Sequence, residues 1–310
     1  MRIVVTGSNG FIGKALIQAL LRQAHAIILT TRAQSDSSAS SNSFVVPEIN
    51  AITNWTTTLH GADAVIHLAA RVHVMRDTAD NPLKEFRSVN TEGTLNLARQ
   101  AAAAGIRRFI FLSTIGVNGN ATSPGKFFTE TSAALPHDPY SVSKHEAEVG
   151  LRSIAASSGM EVVIIRPTLV HGSKAPGNFG KLTRLVAKGL PLPLASIDNR
   201  RSLVGIDNLV DFIITCLEHP AAANETFLVS DGEDLSTPDL IRRMARAMNR
   251  PARLLPVPKS VLMAAASMLG KRDMAQRLCG SLQVDISKSR TLLGWNPPVS
   301  IDEGLRRAVE

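Results

Sequence analysis

Tyrosine is nearly missing from this chain: Tyr140 is the only one in 310 residues. Aromatics make up 4% in all, too few to lay out a stacking platform for single-stranded nucleic acid. Cysteine occurs twice, as Cys216 and Cys279, far apart and in no CxxC or zinc-ligand spacing. That excludes a disulfide framework, and both are expected as reduced thiols in or near a core of a cytoplasmic protein. No apolar run reaches the roughly 18 to 20 residues a bilayer span requires. The opening MRIVVTG enters a strand at once and leaves no room for a signal peptide. The apolar VLMAAASML (Val261–Leu269), bracketed by Lys259 and Lys271, is short for a span and reads as a packed helix. His60, His67 and His73 lack metal-ligand spacing, so no metal is expected. No GxSxG elbow offers acyl chemistry.

What is present is an ordinary globular composition, 44% hydrophobic and 19% charged. The length suits one large domain or two intimately joined ones. Lysine and arginine number 34 against 26 acids, a net charge of +8. That favours an anionic partner: a phosphorylated small molecule, a membrane surface or nucleic acid. The basic residues are scattered apart from RRMARAMNRPAR (Arg242–Arg253), read as a solvated helix face. No nucleic-acid partner is expected.

Apolar runs alternate with helical patterns from the first residue. MRIVVTG, HAIILTTR, FVVPEI, ADAVIHLAA, RRFIFLST and MEVVIIRPT read as strands. FIGKALIQALLRQ, NPLKEFRSVNTEGTLNLARQAAAAG and PYSVSKHEAEVGLRSIAASSG read as helices between them. Strands rich in Val and Ile on both faces predict a parallel sheet covered on both sides. After Pro167 the chain turns rich in Pro, Gly and basic residues. The fold class expected is α/β, a Rossmann-type doubly wound parallel sheet with a smaller C-terminal substrate-binding domain. The division falls at 1–170 and 171–310, with about 205–230 returning to the first part.

TGSNGFIG, after the first strand, spaces its glycines as Gly7-x-x-Gly10-x-x-Gly13. Glycine permits a tight turn and a close backbone approach to a pyrophosphate, and the helix N-terminus supplies N–H donors. A triphosphate loop is excluded, because Ser8 and Ala15 stand where it needs glycine and a hydroxyl. At the end of the second strand, where an NAD site usually carries an acid, stand Thr30, Thr31 and Arg32. Loss of the acid and gain of a guanidinium favour NADP(H), with NAD(H) possible.

Tyr140 and Lys144 are four apart and share a helix face. A phenol titrates near 10. The nearby ammonium, with the positive charge of an oxidised nicotinamide, is expected to lower that value and allow acid–base work. Ser113 and Thr114 supply hydroxyls at the end of the fifth strand, where open α/β sheets bind ligands.

These motifs together resemble the extended short-chain dehydrogenase/reductases, in the nucleotide-sugar epimerase, dehydratase and 4-ketoreductase group of bacterial surface-polysaccharide synthesis. TGSNGFIG, VIHLAA, SVNTEGT, Ser113-Thr114 with YSVSK, and IIRPTLVHG carry the likeness over essentially the whole length. The resemblance implies Thr114, Tyr140 and Lys144 as the catalytic set. It implies cofactor contacts from Gly7, Asn9, Gly10, Phe11, Ile12, Gly13, Thr31, Arg32, Leu68, Ala69, Ala70, Asn90, Ser113, Tyr140, Lys144 and Pro167. Substrate contacts are implied for Val74, Thr114, Tyr140, Asn178, Arg201 and Arg277, and Arg71 and His73 are further candidates for the pocket. Ile115 and Gly116 replace the acidic pair of the 4,6-dehydratases, so dehydration is not expected, and Asn118 is expected to reshape the sugar pocket. The activity implied is hydride transfer at C4 of a nucleotide-activated hexose. Reduction of a UDP-linked 4-keto (N-acetyl, 6-deoxy) sugar is favoured, a UDP-sugar 4-epimerase with tightly bound NAD is the alternative, and a non-catalytic binding relative comes third. A homodimer through the two long helices is expected by analogy.

Overall fold

The computed structural model describes residues 1–32, 43–72, 81–270 and 272–310. The chain runs through β1 (Arg2–Thr6), α1 (Phe11–Arg22), β2 (Ala26–Thr31), β3 (Ser43–Val45), α2 (Thr56–Leu59) and β4 (Ala64–His67). A helical rod follows, made of α3 (Pro82–Phe86), a π-helical stretch (Arg87–Gly93) and α4 (Thr94–Ala103). Next come β5 (Arg108–Leu112), α5 (Pro139–Ser158), β6 (Glu161–Pro167), β7 (Leu169–His171), α6 (Gly177–Ala187) and β8 (Arg201–Gly205). The remainder is α7 (Ile206–Glu218), β9 (Thr226–Val229), β10 (Asp234–Leu235), α8 (Thr237–Ala247) and α9 (Lys259–Met268). It closes with α10 (Arg272–Cys279), α11 (Ser287–Leu293) and α12 (Ile301–Val309).

Seven parallel strands pair in the order β3-β2-β1-β4-β5-β6-β9. Alternate residues of each strand face opposite layers. Ile3, Val5, Ile66 and Ile110 pack with Leu16 and Leu20 of α1 and Phe212 and Ile213 of α7. Val4, Val65, Phe109 and Phe111 pack with Leu97 and Ala101 of α4 and Ala147 and Leu151 of α5. A register slip of one residue would exchange the two sets, so burial on both faces pins the pairing. The strand order reverses between β1 and β4, which opens a crevice at the carboxyl ends of those strands.

A second sheet, β10-β8-β7, and helices α6, α8 and α12 build a smaller lobe around Phe179, Leu203, Met244 and Leu305. The chain leaves the large sheet after β6 and rejoins it with α7 and β9. Leu293 and Trp295 return to the same core, the indole ring lying 4.7 Å from Phe212. Both cysteines are buried and free.

Two elements differ from the sequence reading. FVVPEI yields strand only at Ser43–Val45, because Pro47 lacks the N–H a further ladder bond needs. VLMAAASML does form helix α9, but among the described elements only α10 packs on it: no residue of α9 is fully buried, and Val261, Met268 and Leu269 are 54%, 88% and 70% exposed. No described helix is long and apolar enough to cross a membrane.

Candidate active site

The glycine loop is locked by contacts that only glycine allows. Gly7 has φ +72°, and a Cβ there would lie 2.7 Å from the Ala69 amide nitrogen. A Cβ on Gly13 would meet the Gly7 carbonyl oxygen at 2.2 Å. The first turn of α1 is thus drawn against the loop, and the Gly7 loop against the chain leaving β4. Gly10 is the N-cap of α1 and offers no side-chain cap, so the helix presents open N–H groups at the switch-point crevice. Asn9 and Gly10 are exposed, and Phe11 and Ile12 half-buried, around this mouth. Thr31 ends β2 with its Oγ1 buried and without a hydrogen-bond partner, and the exposed Arg32 follows. An open helix N-terminus, a cradle that a Cβ would fill and an orphaned hydroxyl at the end of β2 fit a dinucleotide.

The floor of the crevice is a buried polar relay. His67 bridges Thr6 Oγ1 at 2.6 Å and Thr94 Oγ1 at 2.9 Å. Burial, with a smaller contribution from the charge of Lys144, pushes the His67 pKa down to about 3, so the ring is neutral. The Leu68 and Ala69 amides donate to the carbonyl oxygen and Oγ1 of Thr6, holding 68–70 beside the glycine loop. Asn90 is tied into the protein itself. It is wholly buried, its Oδ1 accepts from the Arg71 amide at 2.8 Å, and its Nδ2 donates to the Arg71 carbonyl and Ser143 Oγ, each at 3.0 Å. With both ends of the amide engaged, it positions the β4 loop against α5. Val74 and His73 lie outside the described residues. Arg71 lies over the Phe86 ring at 5.5 Å.

Helix α5 starts at Asp138, whose Oδ1 accepts from the amide and hydroxyl of Ser141. Tyr140 sits in its first turn, half-buried, with its ring edge-on to Phe86 at 6.1 Å. Thr114, at the end of β5, accepts the Gly116 amide on Oγ1 at 3.1 Å, which leaves its hydroxyl hydrogen to donate. A Cβ on Gly116 would lie 2.6 Å from Ser141 Oγ, so the Thr114 turn packs directly against the first turn of α5. A side chain at Gly116 would have to displace the Ser141 hydroxyl, and neither Ile115 nor Gly116 supplies a carboxylate there. Lys144 is buried with Nζ 4.0 Å from the centre of the Phe111 ring. Pro167 is buried at the end of β6, on the same edge of the sheet.

In the protein alone the Tyr140 phenol does not become more acidic, as the spacing to Lys144 suggested. Burial, then the charge of Asp138, raises it above its ordinary 10. Lys144 is itself brought down to about 7 by burial, with Glu148 opposing. Desolvation is the largest cause at both groups.

Sequence reasoning missed the support beneath Lys144. Ser113 Oγ donates to Glu148 Oε1 at 2.5 Å, so the hydroxyl of Ser113 turns away from the crevice and only its backbone faces it. Arg166 binds the same carboxylate through two nitrogens and donates to Asn118 Oδ1 at 2.9 Å. Asn118, fully buried, also donates to the Thr129 carbonyl, so it braces this network. Burial works to raise the Glu148 carboxyl. The hydrogen bonds and charge of Arg166, with Ser113 and Arg152, nevertheless carry it below the ordinary carboxylate range. The available signal was an acid eight residues after Tyr140, matched by a lone arginine in the apolar strand VVIIRP.

Across from α5, Arg201 begins β8 and donates through Nη1 to the carbonyls of Arg277 and Gly280. Burial and the charge of Arg277 lower the Arg201 pKa. The Arg277 guanidinium lies 3.9 Å from Asp138, the cap of α5, which brings the two arginines to the end of the helix that bears Tyr140. Asn178 is exposed in the first turn of α6. Among the described residues no group of His, Cys, Asp and Glu could hold a metal.

The chain is similar to several known proteins. The chain is 46% identical over 309 residues to a UDP-glucose 4-epimerase of Vibrio cholerae, covering 99% of this chain and 94% of that one. It is 26% identical over 332 residues to the N-acetyl-alpha-D-glucosaminyl-diphospho-ditrans,octacis-undecaprenol 4-epimerase of Escherichia coli O157:H7, covering 99% and 94%. Among solved structures, UDP-glucuronic acid 4-epimerase from Bacillus cereus in complex with NAD superposes with TM-score 0.80 at 22% identity, over 100% and 97% of the two chains. That likeness speaks for the fold. The model of the NAD dependent epimerase/dehydratase family matches residues 3–230, and the chain belongs to that family.

Proposed function

We propose that this protein is a 4-epimerase of a nucleotide-linked hexose, UDP-linked by its similarity to the Vibrio cholerae relative, with a dinucleotide held through the catalytic cycle. The observation that carries the chemistry is the Thr114 turn packed against the first turn of α5, which bears Tyr140, with Ile115 and Gly116 supplying no carboxylate after it. That arrangement suits proton exchange at a sugar hydroxyl and disfavours loss of water. A nicotinamide cofactor, when bound, supplies a hydride acceptor and donor above the sugar. Gly7, Gly10, Gly13 and the amides opening α1 would hold its diphosphate, with Thr31 and Arg32 near its adenosine end. Tyr140 takes the C4 hydroxyl proton at its phenol oxygen as C4 is oxidised to a ketone. It returns a proton there after the sugar has presented its other face. Thr114 donates a hydrogen bond to the same sugar oxygen, and Lys144 keeps positive charge beneath the phenol. Arg201 and Arg277 form the proposed diphosphate site of the substrate in a lobe drawn largely from 171–310.

The reductase favoured by the sequence uses the same residues but must exchange its cofactor at every turnover. The full-length likeness to an epimerase supports the self-regenerating cycle. NAD is the cofactor proposed. The missing acid after β2 makes NADP(H) tolerable and keeps Arg32 the residue to test. The homodimer is proposed to form through the rod from α3 to α4 and through α5, whose Val149 is exposed, and the mass in solution tests it.

The deciding experiment identifies the nucleotide released on denaturing the purified protein and follows UDP-glucose without added cofactor. Retained NAD and conversion to UDP-galactose, or to another 4-epimer for an N-acetylated sugar, are expected. Stoichiometric consumption of added NADPH by a 4-keto sugar would return the reading to the reductase.

A further inference from the structure

All of the net charge of this chain is carried by one tenth of its length. Between Arg242 and Arg272 stand eight of its 34 lysines and arginines and none of its 26 acids. The other 26 basic residues and the 26 acids cancel. Two of the eight are neutralised on α8, where Arg242 pairs with Asp239, and Arg243 with Glu233 and Asp302. Arg246, Arg250, Arg253, Lys259 and Arg272 are exposed and join no salt bridge among the described residues. The same stretch holds α9, which no other element buries. Val261, Ala265 and Met268, at positions i, i+4 and i+7, form an exposed apolar stripe that Leu269 continues. Leu255, just before the helix, is exposed as well.

An apolar ridge of this kind on a water-soluble surface calls for a partner. A ridge set in a field of unbalanced positive charge calls for an anionic one. Nucleic acid would use the charge but leave the aliphatic stripe without purpose, since bases stack on aromatic rings and α9 carries none. A second copy of the chain would bring the same positive charge against itself. An anionic lipid surface matches both features: headgroups face the arginines, and a short apolar helix face sinks to the acyl boundary without crossing it. We propose that α9 and its basic flanks dock this protein on an anionic bilayer surface. Helix α10, which packs on α9, carries Arg277, whose carbonyl holds Arg201. Docking there would set the arginine side of the candidate site towards the membrane. The proposal does not depend on which hexose reaction the site performs.

The test is sedimentation of the full chain with vesicles of phosphatidylcholine, with and without phosphatidylglycerol. Binding is expected to need the anionic lipid and to weaken with salt. Replacing Met268 and Leu269 together by Glu is expected to lower binding about tenfold or more. Arg250→Glu and Arg253→Glu are expected to lower it about fivefold each. Turnover of soluble substrate and the circular dichroism spectrum should stay as they were. A Met268→Ser, Leu269→Ser pair repeats the measurement with a milder change, should the Glu pair disturb the lobe. No sedimentation with anionic vesicles, or binding indifferent to Met268 and Leu269, overturns the proposal. So does a Glu pair that splits an oligomer in solution while the parent ignores vesicles, since the ridge would then belong to a second copy. Retention on a nucleic acid column without vesicle binding would reassign the charge and likewise end it.

Discussion

Arg166 holds Glu148 by two hydrogen bonds, Nε to Oε1 at 2.9 Å and Nη2 to Oε2 at 2.5 Å, one helical turn beyond Lys144. Both side chains are almost fully buried. A buried ion pair contributes little net stability, but breaking it leaves one charge uncompensated. Glu148 also supplies the negative charge that keeps Lys144 from losing its proton more easily still.

Glu148→Gln is therefore expected to lose about 3–5 kcal/mol of stability in denaturant unfolding. The surviving fold should lose activity at lower pH than the parent, because Lys144 gives up its proton sooner. A pH profile with an unmoved alkaline limb would remove Glu148 from the account.

Lys144 has a folded pKa of about 7 against an ordinary 10.5. Between those values the unfolded chain holds the proton and the folded one does not, so stability rises with pH across that window. Below about pH 7 the burial penalty is present in full. Lys144→Met should then be more stable than the parent at pH 6, by about 1–3 kcal/mol, with the gap closing towards pH 10 and with turnover lost. Urea midpoints across that range measure it.

His67 titrates in the other half of the pH scale. Its folded pKa of about 3 lies below the ordinary 6.5, so the unfolded chain takes up the proton first as the solution is acidified. Stability conferred by the neutral ring is whole above about pH 6.5 and drains away towards pH 3. His67→Gln should start lower, through the lost Thr6 and Thr94 bonds, yet fall less steeply with acid. Parallel curves for the two proteins would count against the assignment.

Gly13→Ala places a methyl 2.2 Å from the Gly7 carbonyl oxygen and 2.9 Å from Ser8 Cα, backbone atoms that cannot swing aside. Loss of co-purifying dinucleotide and about 1–3 kcal/mol of stability are expected. Calorimetry and the released-nucleotide assay read the two effects separately.

Tyr140→Phe keeps the ring beside Phe86 and removes only the proton carrier. Turnover should fall about 10²- to 10⁴-fold with cofactor retention unchanged. Thr114→Ser should keep most of the rate and Thr114→Val should not. An active Tyr140→Phe enzyme would move the chemistry elsewhere.

The glycine loop, the alternating strands and the Tyr140–Lys144 pair were legible because each is written locally. A turn, a strand period and a helix repeat are properties of neighbours in sequence. The protein partners of Ser113, Asn90 and Asn118 were not legible for the converse reason. A hydroxyl or amide at a strand end can face the crevice or the interior, and the choice was made by Glu148, Arg71 and Arg166, residues 35, 19 and 48 positions away. The exposure of α9 was hidden too, since an apolar repeat reads alike whether or not another element covers it.

By itself, the sequence determined the parallel sheet, the glycine turn and the spacing that puts a phenol and an ammonium on one face of a helix. Hydrophobic period and glycine stereochemistry act over a few residues. Only the tertiary structure decided the protonation of that pair, which partner each buried polar atom took, and which apolar helix stayed bare. Desolvation and pairing depend on atoms brought together from distant parts of the chain.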